Sequence, residues 1–281
     1  MDTQTLKTFL VLSKLKNFTL TAEHLFVAQS TVTNRIAELE KELGKSLFHR
    51  QRKNLTLTEE GLVFYQYANR ILELEESALH DINSSAFYRN SIRIGTTNTI
   101  YECHLFPKMK AFLDSHEDTS VKLFFGHSLE LIEMLQDHLL DVVFSYLPLK
   151  KTGFHCTSFI SDELLLVTSP RNTAYAKGIL KSDLTKINYL FCNFALQEVG
   201  QFIRELFPPY YQFSFEIDNS TKLIPYLLTG TGYSFLPRSL VKPYLTSGEF
   251  ITIPILDFST PVINSYQIQR DDKSSKSLWN I

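Results

Sequence analysis

The sequence predicts a chain of two unlike parts: an all-α first third, and a C-terminal α/β two-thirds. Three observations carry that division. Up to residue 84 the apolar residues recur at helical spacing over three short segments and one long one. From residue 92 short apolar runs alternate with helical patterns, the signature of mostly parallel sheets. The third is charge: the net charge is only −2, but its distribution is uneven. Residues 45–57 carry Lys45, His49, Arg50, Arg52 and Lys53 with no acid. Residues 59–81 then carry Glu59, Glu60, Glu73, Glu75, Glu76 and Asp81 against Arg70. With 44% hydrophobic and 21% charged residues, the chain can bury substantial cores, which excludes wholesale disorder.

In the first part, residues 3–15 read as an amphipathic helix on the spacing of Leu6, Phe9 and Leu10. Asn17-Phe18-Thr19 breaks it, and Thr19 is the expected N-cap of a second helix through Ala22, Leu25 and Phe26. After a tight turn at Val27-Ala28, a third helix spans 29–43 and is closed by Gly44. Val32, Ile36, Leu39 and Leu43 predict a narrow buried stripe, with Ser30, Asn34, Ala37 and Lys41 opposite. The start of this helix is polar and free of acids: Gln29, Ser30, Thr31, Thr33, Asn34 and Arg35. Glu38, Glu40 and Glu42 come only later. A helix that enters a major groove puts its N-terminal residues on base edges, where carboxylates would meet phosphate repulsion. An ordinary surface helix would show the same periodicity. After Gly44, two short β-prone pieces flank a basic tip. This describes a wing that would lay Arg50, Arg52 and Lys53 along phosphates, giving salt-sensitive affinity without reading sequence.

These residues resemble a known family. The run from Ala22 to Glu40, AEHLFVAQSTVTNRIAELE, is similar to the helix-turn-helix of LysR-type transcriptional regulators. Lys41-Glu42-Leu43-Gly44, Leu47-Phe48-His49-Arg50 and Leu57-Thr58-Glu59-Glu60-Gly61 continue the pattern without a gap. The resemblance implies that Gln29, Ser30, Thr31, Thr33 and Asn34 read bases, and that Arg50 and Arg52 meet the backbone. Two departures stand out. The family usually has a capping serine where this chain has Ala28, and losing such a cap costs about 1 kcal/mol unless Gln29 or Ser30 substitutes. Arg35 lies one place after the family's usual arginine.

Thr58 is the expected N-cap of a long helix to about residue 84, with no Pro and no Gly after Gly61. Tyr65, Ala68, Leu72 and Leu79 form one seam, with Phe64, Ile71, Ala78 and Ile82 beside it. In the family this helix pairs with its twin; packing on its own domain is the alternative. Residues 84–90 read as a hinge.

Beyond it, strands are expected at 92–95, 121–125, 141–147, 163–169, 189–192, 213–217, 233–236, 251–255 and 262–269. Helices are expected at 100–113, 129–138, 196–207, 220–228 and 239–245, with a last one beginning at 276–281. Ile92-Arg93-Ile94-Gly95-Thr96-Thr97, Leu105-Phe106-Pro107, Gly126-His127-Ser128, Leu140-Asp141-Val142-Val143 and the run Gly230 to Arg238 resemble the effector domain of the same family. That resemblance implies a two-lobed, type-2 periplasmic-binding-protein-like fold. Its parts would be a DNA-binding domain over 1–58, a linker over 59–90 and an effector domain over 91–281. Within the last, lobe I would hold 91–161 and 256–281, and lobe II 162–255.

Ligands of open α/β sheets sit outside the carboxyl ends of strands, often at helix N-termini. That rule selects Thr96, Thr97, Asn98 and Thr99, then His127 and Ser128, then Ser145 and Tyr146, then Asn219, Ser220 and Thr221. Hydroxyls and free backbone N–H groups suit a small anion such as a carboxylate; as plain helix caps they would bind nothing. Asn193-Phe194-Ala195-Leu196 does not match the polar loop that many family members carry there, so no arginine clamp is visible from that lobe.

No GxSxG, P-loop, HExxH or GxGxxG is present, and the eight histidines show no metal spacing, so neither catalysis nor a cofactor or metal is expected. Cys103, Cys156 and Cys192 are odd in number and widely spaced, as in a reducing cytoplasm. Cys103 near the cleft admits a redox role, but a buried thiol is the plainer reading. Apolar runs such as 164–167 are far too short for a bilayer, and no signal-peptide pattern precedes residue 20. The expected partners are double-stranded DNA, a small-molecule effector, a homodimer or homotetramer, RNA polymerase, and no membrane. The rivals are a substrate-binding protein or enzyme on the same bilobal fold, which residues 1–60 oppose, and an architectural DNA-binding protein, which needs no ligand cleft.

Overall fold

The computed structural model describes residues 1–51, 54–84, 88, 90–193 and 198–271. They form two units, Met1–Ala86 and Phe87–Ile281. The predicted helix at 276–281 and the first two residues of the helix expected at 196–207 lie outside the described residues, as does most of the hinge.

The first unit opens with α1 (Thr3–Leu15), capped by the Asp2 carboxylate, which accepts from the Thr5 N–H at 2.7 Å. The second helix, α2 (Phe18–Leu25), is capped by Asn17 rather than by Thr19. The Asn17 carbonyl oxygen accepts from the N–H groups of Thr19 and Leu20 at 2.8 and 3.1 Å. Asn is as good a cap as Thr and lies two residues earlier, so the helix starts sooner. Phe26 ends α2 in the left-handed region at φ 56°. Next comes α3 (Gln29–Leu43), which ends on Gly44 at φ 64°. Val32, Ile36 and Leu39 are buried as the stripe requires, whereas Leu43, at the end of the helix, is 39% exposed.

The wing is a hairpin of β1 (Phe48–Gln51) and β2 (Asn54–Leu57), with Phe48 opposite Leu57 and Arg50 opposite Leu55. Glu40 ties it to α3: its Oε1 accepts from the N–H of Leu47 at 2.8 Å and of Phe48 at 3.3 Å. Phe9 centres the core between Phe48 and Phe64, with ring centroids 5.4 and 5.0 Å away. The long helix α4 (Glu59–Ser84) starts on Thr58, whose hydroxyl accepts from the Gly61 N–H at 2.9 Å. Gly61 lies so close to the Leu47 carbonyl that any Cβ there would press into it.

The long helix α4 has two unlike faces. Phe64, Tyr65, Ala68 and Leu72 pack on the core of their own unit. Val63, Tyr67, Ile71 and Leu74, followed by Leu79 and Ile82, stay exposed as a second stripe.

The second unit begins with β3 (Asn90–Thr96), which runs parallel to β4 (Thr119–Phe125). Between them a short α5 (Asn98–Ile100) passes through a π-helical turn (Tyr101–Leu105) into α6 (Phe106–Ser115). The helix expected at 100–113 is this composite. After β4 come α7 (Ser128–Gln136) and β5 (Val142–Ser145), parallel to β3 and shorter than expected.

The largest departure follows. A strand expected at 163–169 is instead the 15-residue β6 (Phe154–Thr168). Nine of its first ten residues, all but Phe159, pair with the last strand, β11 (Val262–Arg270), and Leu164–Thr168 pair with β9 (Tyr233–Pro237). One strand therefore crosses from the first sheet, β4-β3-β5-β11-β6, into the sheet of the second lobe. Where β11 slips register between Ser265 and Tyr266, the Ser265 hydroxyl replaces the ladder. It donates to the Ile160 carbonyl at 2.8 Å and accepts from the Ile160 N–H at 3.2 Å.

The second lobe adds β7 (Phe191–Cys192), α8 (Glu198–Glu205), β8 (Glu216–Ile217) and α9 (Ser220–Leu228). Following β9 are α10 (Arg238–Ser247) and β10 (Ile251–Thr252). The strands at 213–217 and 251–255 shrink to two residues each. Its core is built on buried Tyr189, Phe191, Phe235 and Phe250. At the crossing, Asp162 of β6 accepts from the Ser239 N–H at the start of α10 and stands 3.8 Å from His104 of the π turn.

Candidate nucleic-acid interface and ligand cleft

On α3, Gln29, Ser30 and Asn34 are exposed, and Thr31 and Thr33 are half-buried. Ser30 and Asn34 make no side-chain hydrogen bond with a described residue, so their polar atoms face outward with capacity unspent. The Thr33 hydroxyl donates to the Gln29 carbonyl at 3.0 Å, and the Gln29 side-chain oxygen accepts from the Thr19 hydroxyl at 3.4 Å. Arg35, also expected on the DNA-facing helix start, is half-buried, and its Nη1 donates to the Thr8 hydroxyl of α1 at 3.1 Å. Ala28 caps α3 with backbone only, and neither Gln29 nor Ser30 supplies a side-chain cap. Arg52, Lys53 and the Arg50 side chain lie outside the described residues.

In the second unit, a cleft of about 320 Å³ lies where the carboxyl ends of β3 and β4 meet the start of α9. Five of the residues picked by the strand-end rule line it: Thr97, Asn98, Thr99, His127 and Asn219. The other six, Tyr146 among them, do not, each with its hydroxyl already engaged. Thr96 donates to the Thr97 carbonyl at 3.2 Å. The Ser128 oxygen accepts from the Tyr146 N–H at 3.1 Å, and that of Ser145 from the Leu147 N–H at 2.9 Å. Ser220 shares a hydrogen bond of 2.5 Å with Thr99, which joins the two lobes directly. Thr221 donates to Asn219 at 2.7 Å.

The starts of α9 and α5 are also occupied, whereas that of α7 has no side-chain cap. Asn219 Oδ1 caps α9 by accepting from the N–H groups of Thr221 and Lys222 at 3.1 and 3.3 Å. Thr97 Oγ1 caps α5 by accepting from the Ile100 N–H at 3.3 Å. Phe125, Gly126, Glu130 and Asp218 complete the lining, and the strand-end rule passed them over. Glu130 was within reach of the sequence as the one acid in the first turn of α7. Behind the cleft, the Tyr146 hydroxyl is bonded to Thr99 and Thr97, and burial pushes its pKa well up. Burial, reinforced by Asp162 and Glu102, pushes the Cys103 thiol up to about 12. Elsewhere in the second lobe, Arg204 lies 4.1 Å over the Phe191 ring and pairs with Glu216 at 3.0 Å, beside a hollow of about 640 Å³ lined by Phe207, Tyr211 and Phe213.

A winged helix-turn-helix with an outward polar helix start, followed by a bilobal domain with an interlobe cleft, defines a ligand-responsive DNA-binding regulator. Comparison with known proteins gives the family. Residues 3–62 match the bacterial regulatory helix-turn-helix of the lysR family, and residues 86–277 match the LysR substrate binding domain. The chain belongs to the LysR family and is a LysR-type transcriptional regulator with a DNA-binding helix-turn-helix and an effector-binding domain. It is 28% identical over 277 residues to the HTH-type transcriptional regulator CitR of Bacillus subtilis, covering 95% of this chain and 93% of CitR. It is 30% identical over 260 residues to YwqM of the same organism, covering 89% of this chain and 86% of YwqM. The fold is that of CbnR, a LysR family regulator, at a TM-score of 0.71 and 21% identity over 98% of this chain and 94% of CbnR. No helix among the described residues is long and apolar enough to cross a membrane.

Proposed function

We propose that the protein is a cytoplasmic, sequence-specific regulator whose grip on DNA is set by a small molecule in the interlobe cleft. It has no catalytic step of its own. Gln29, Ser30, Thr31, Thr33 and Asn34 read base edges in the major groove, and Arg50, Arg52 and Lys53 of the wing hold phosphates. The organisation that serves this is a DNA-binding domain over 1–58, a linker over 59–90 and an effector domain over 91–281. The exposed stripe Val63, Tyr67, Ile71 and Leu74 supports a homodimer through α4, or a tetramer of two such dimers, which places two recognition helices on half-sites of an inverted repeat. The effector contacts Thr97, Asn98, Thr99, His127 and Asn219. By preferring one arrangement of the lobes, it shifts how the dimers sit on DNA and recruit RNA polymerase.

The observation that carries this reading is the pair of features on one chain. One is an acid-free, unspent polar face at the start of α3; the other is a cleft spanned by polar contacts between the lobes, among them Thr99 to Ser220 and His127 to Asp218. The test is a gel shift on the protein's own upstream region with random DNA as competitor, at physiological salt. Specific retention supports the regulator, and loss to random competitor in equal measure would leave an architectural protein. No binding even at low salt would remove the helix-turn-helix assignment.

A further inference from the structure

We infer that the ligand of the interlobe cleft carries a positive charge: it is an organic ammonium compound rather than a carboxylate or oxyanion. This rests on the reading that the cleft is the effector site, and it reverses the charge that hydroxyl-rich strand ends imply.

Several of the groups that would hold an anion are already used. The α9 amides are capped by Asn219 and the Ile100 amide by Thr97. The hydroxyls of Thr99 and Ser220 are bonded to each other. Among the described residues, no lysine or arginine lines the cavity. Beside the neutral amides of Asn98 and Asn219, the lining holds two carboxylates and an aromatic ring. Glu130 makes no hydrogen bond or ion pair with a described residue, and its Oε2 lies over Gly126, 3.0 Å from where a Cβ would stand. Asp218 enters from the other lobe and meets His127 at 3.4 Å, while 70% of its side chain remains in solvent. With His127 neutral the lining carries two negative charges, and with His127 protonated it still carries one. The uncapped start of α7 would favour an anion, but Glu130 sits in that same first turn and opposes it.

Phe125 supplies the remaining recognition. It is 49% exposed, and Tyr101 fixes its ring edge-on at 5.1 Å and 84°. An exposed aromatic ring that lines the same cavity as two carboxylates can hold an ammonium group by charge and ring quadrupole together. A volume of about 320 Å³ is at the small end of ligand sites, so the ligand is a small amine.

The test uses two probes of one shape and opposite charge, benzylammonium and benzoate, titrated into the full-length protein at pH 7 by saturation-transfer NMR. Benzylammonium should bind at least about tenfold more tightly. Glu130→Gln should cut that preference to less than about threefold, and Phe125→Ala should weaken benzylammonium. Melting curves of both variants check that they fold; both positions are exposed. Benzoate binding as tightly as benzylammonium, with Phe125→Ala weakening both, would leave the cleft as the effector site and overturn the charge inference. Neither probe binding up to about 10 mM, or both binding unchanged in Phe125→Ala, would overturn the cleft reading and this inference with it.

Discussion

The sharpest stability prediction concerns Asp141. Its carboxylate accepts four hydrogen bonds that stitch the middle of the first sheet together. The N–H of Arg93 reaches it at 2.8 Å, Arg93 Nε at 3.2 Å, Arg93 Nη2 at 3.1 Å and Arg270 Nη2 at 3.0 Å. The three side chains are 16%, 14% and 10% exposed, so water screens them little. Arg93 belongs to β3 and Arg270 ends β11, with β5 starting one residue after Asp141. Asp141→Ala therefore removes one charge from between two guanidinium groups and leaves both in a dry setting. Breaking a buried pair by removing one partner costs about 3–5 kcal/mol. Taking the lower end because the triad keeps some solvent contact, the folding equilibrium should fall by about two orders of magnitude. Arg270→Ala should cost less, about 1–2 kcal/mol, because Asp141 keeps its pairing with Arg93 while losing the Arg270 donor at 3.0 Å, and the Leu140 carbonyl loses its donor at 2.8 Å. Urea unfolding followed by far-UV circular dichroism measures both. A loss under about 1 kcal/mol for Asp141→Ala, or a larger loss for Arg270→Ala, would refute the view that the triad is a charge-compensated clamp.

Three further outcomes follow from local structure. Ala28→Ser should give α3 the side-chain cap it lacks and stabilise the DNA-binding unit by about 1 kcal/mol, seen as a rise of several degrees in its calorimetric transition; an unchanged transition would mean the helix end is already satisfied. Gly61→Ala should destabilise the same unit, because the new methyl must displace the Leu47 carbonyl where β1 begins; wild-type melting would contradict that close approach. Cys103, held protonated up to about pH 12 by burial, should react with iodoacetamide at pH 8 more than about tenfold slower than a free thiol. Its stabilising effect is present below the unfolded thiol value of 9.0 and is lost as pH rises from there toward 12. Rapid alkylation of Cys103 in peptide mass mapping would return the redox role to consideration.

The helical third was nearly fully legible, because helix periodicity and caps act within a few residues. The helix α1 has the predicted ends, and α3 ends on the glycine that its left-handed terminus requires. The errors there were competitions between near-equal choices, such as Asn17 against Thr19. In the α/β part, α9 has the predicted ends, yet half of β6 was invisible. Residues 154–162 bury only part of each face in a strand between two sheets, so they never form the apolar run that marks a central strand. The cleft was half legible for a related reason. Strand ends locate it, but whether a hydroxyl faces the ligand or caps a helix is decided by tertiary pairing, as Ser145 and Ser220 show. The acids Glu130 and Asp218 sit beside the selected positions and entered the site only when the two lobes met.

The central claim is that the start of α3 reads sequence while the wing supplies charge. Its most direct test is fluorescence anisotropy of wild type, Asn34→Ala and Arg52→Ala, on the operator and on a scrambled duplex, across a salt series. Asn34→Ala should lose about 1–3 kcal/mol on the operator and little on the scrambled duplex, with its salt slope unchanged. Arg52→Ala should weaken both duplexes alike and lower the salt slope by about one. Equal losses on both duplexes for Asn34→Ala would contradict base reading by α3.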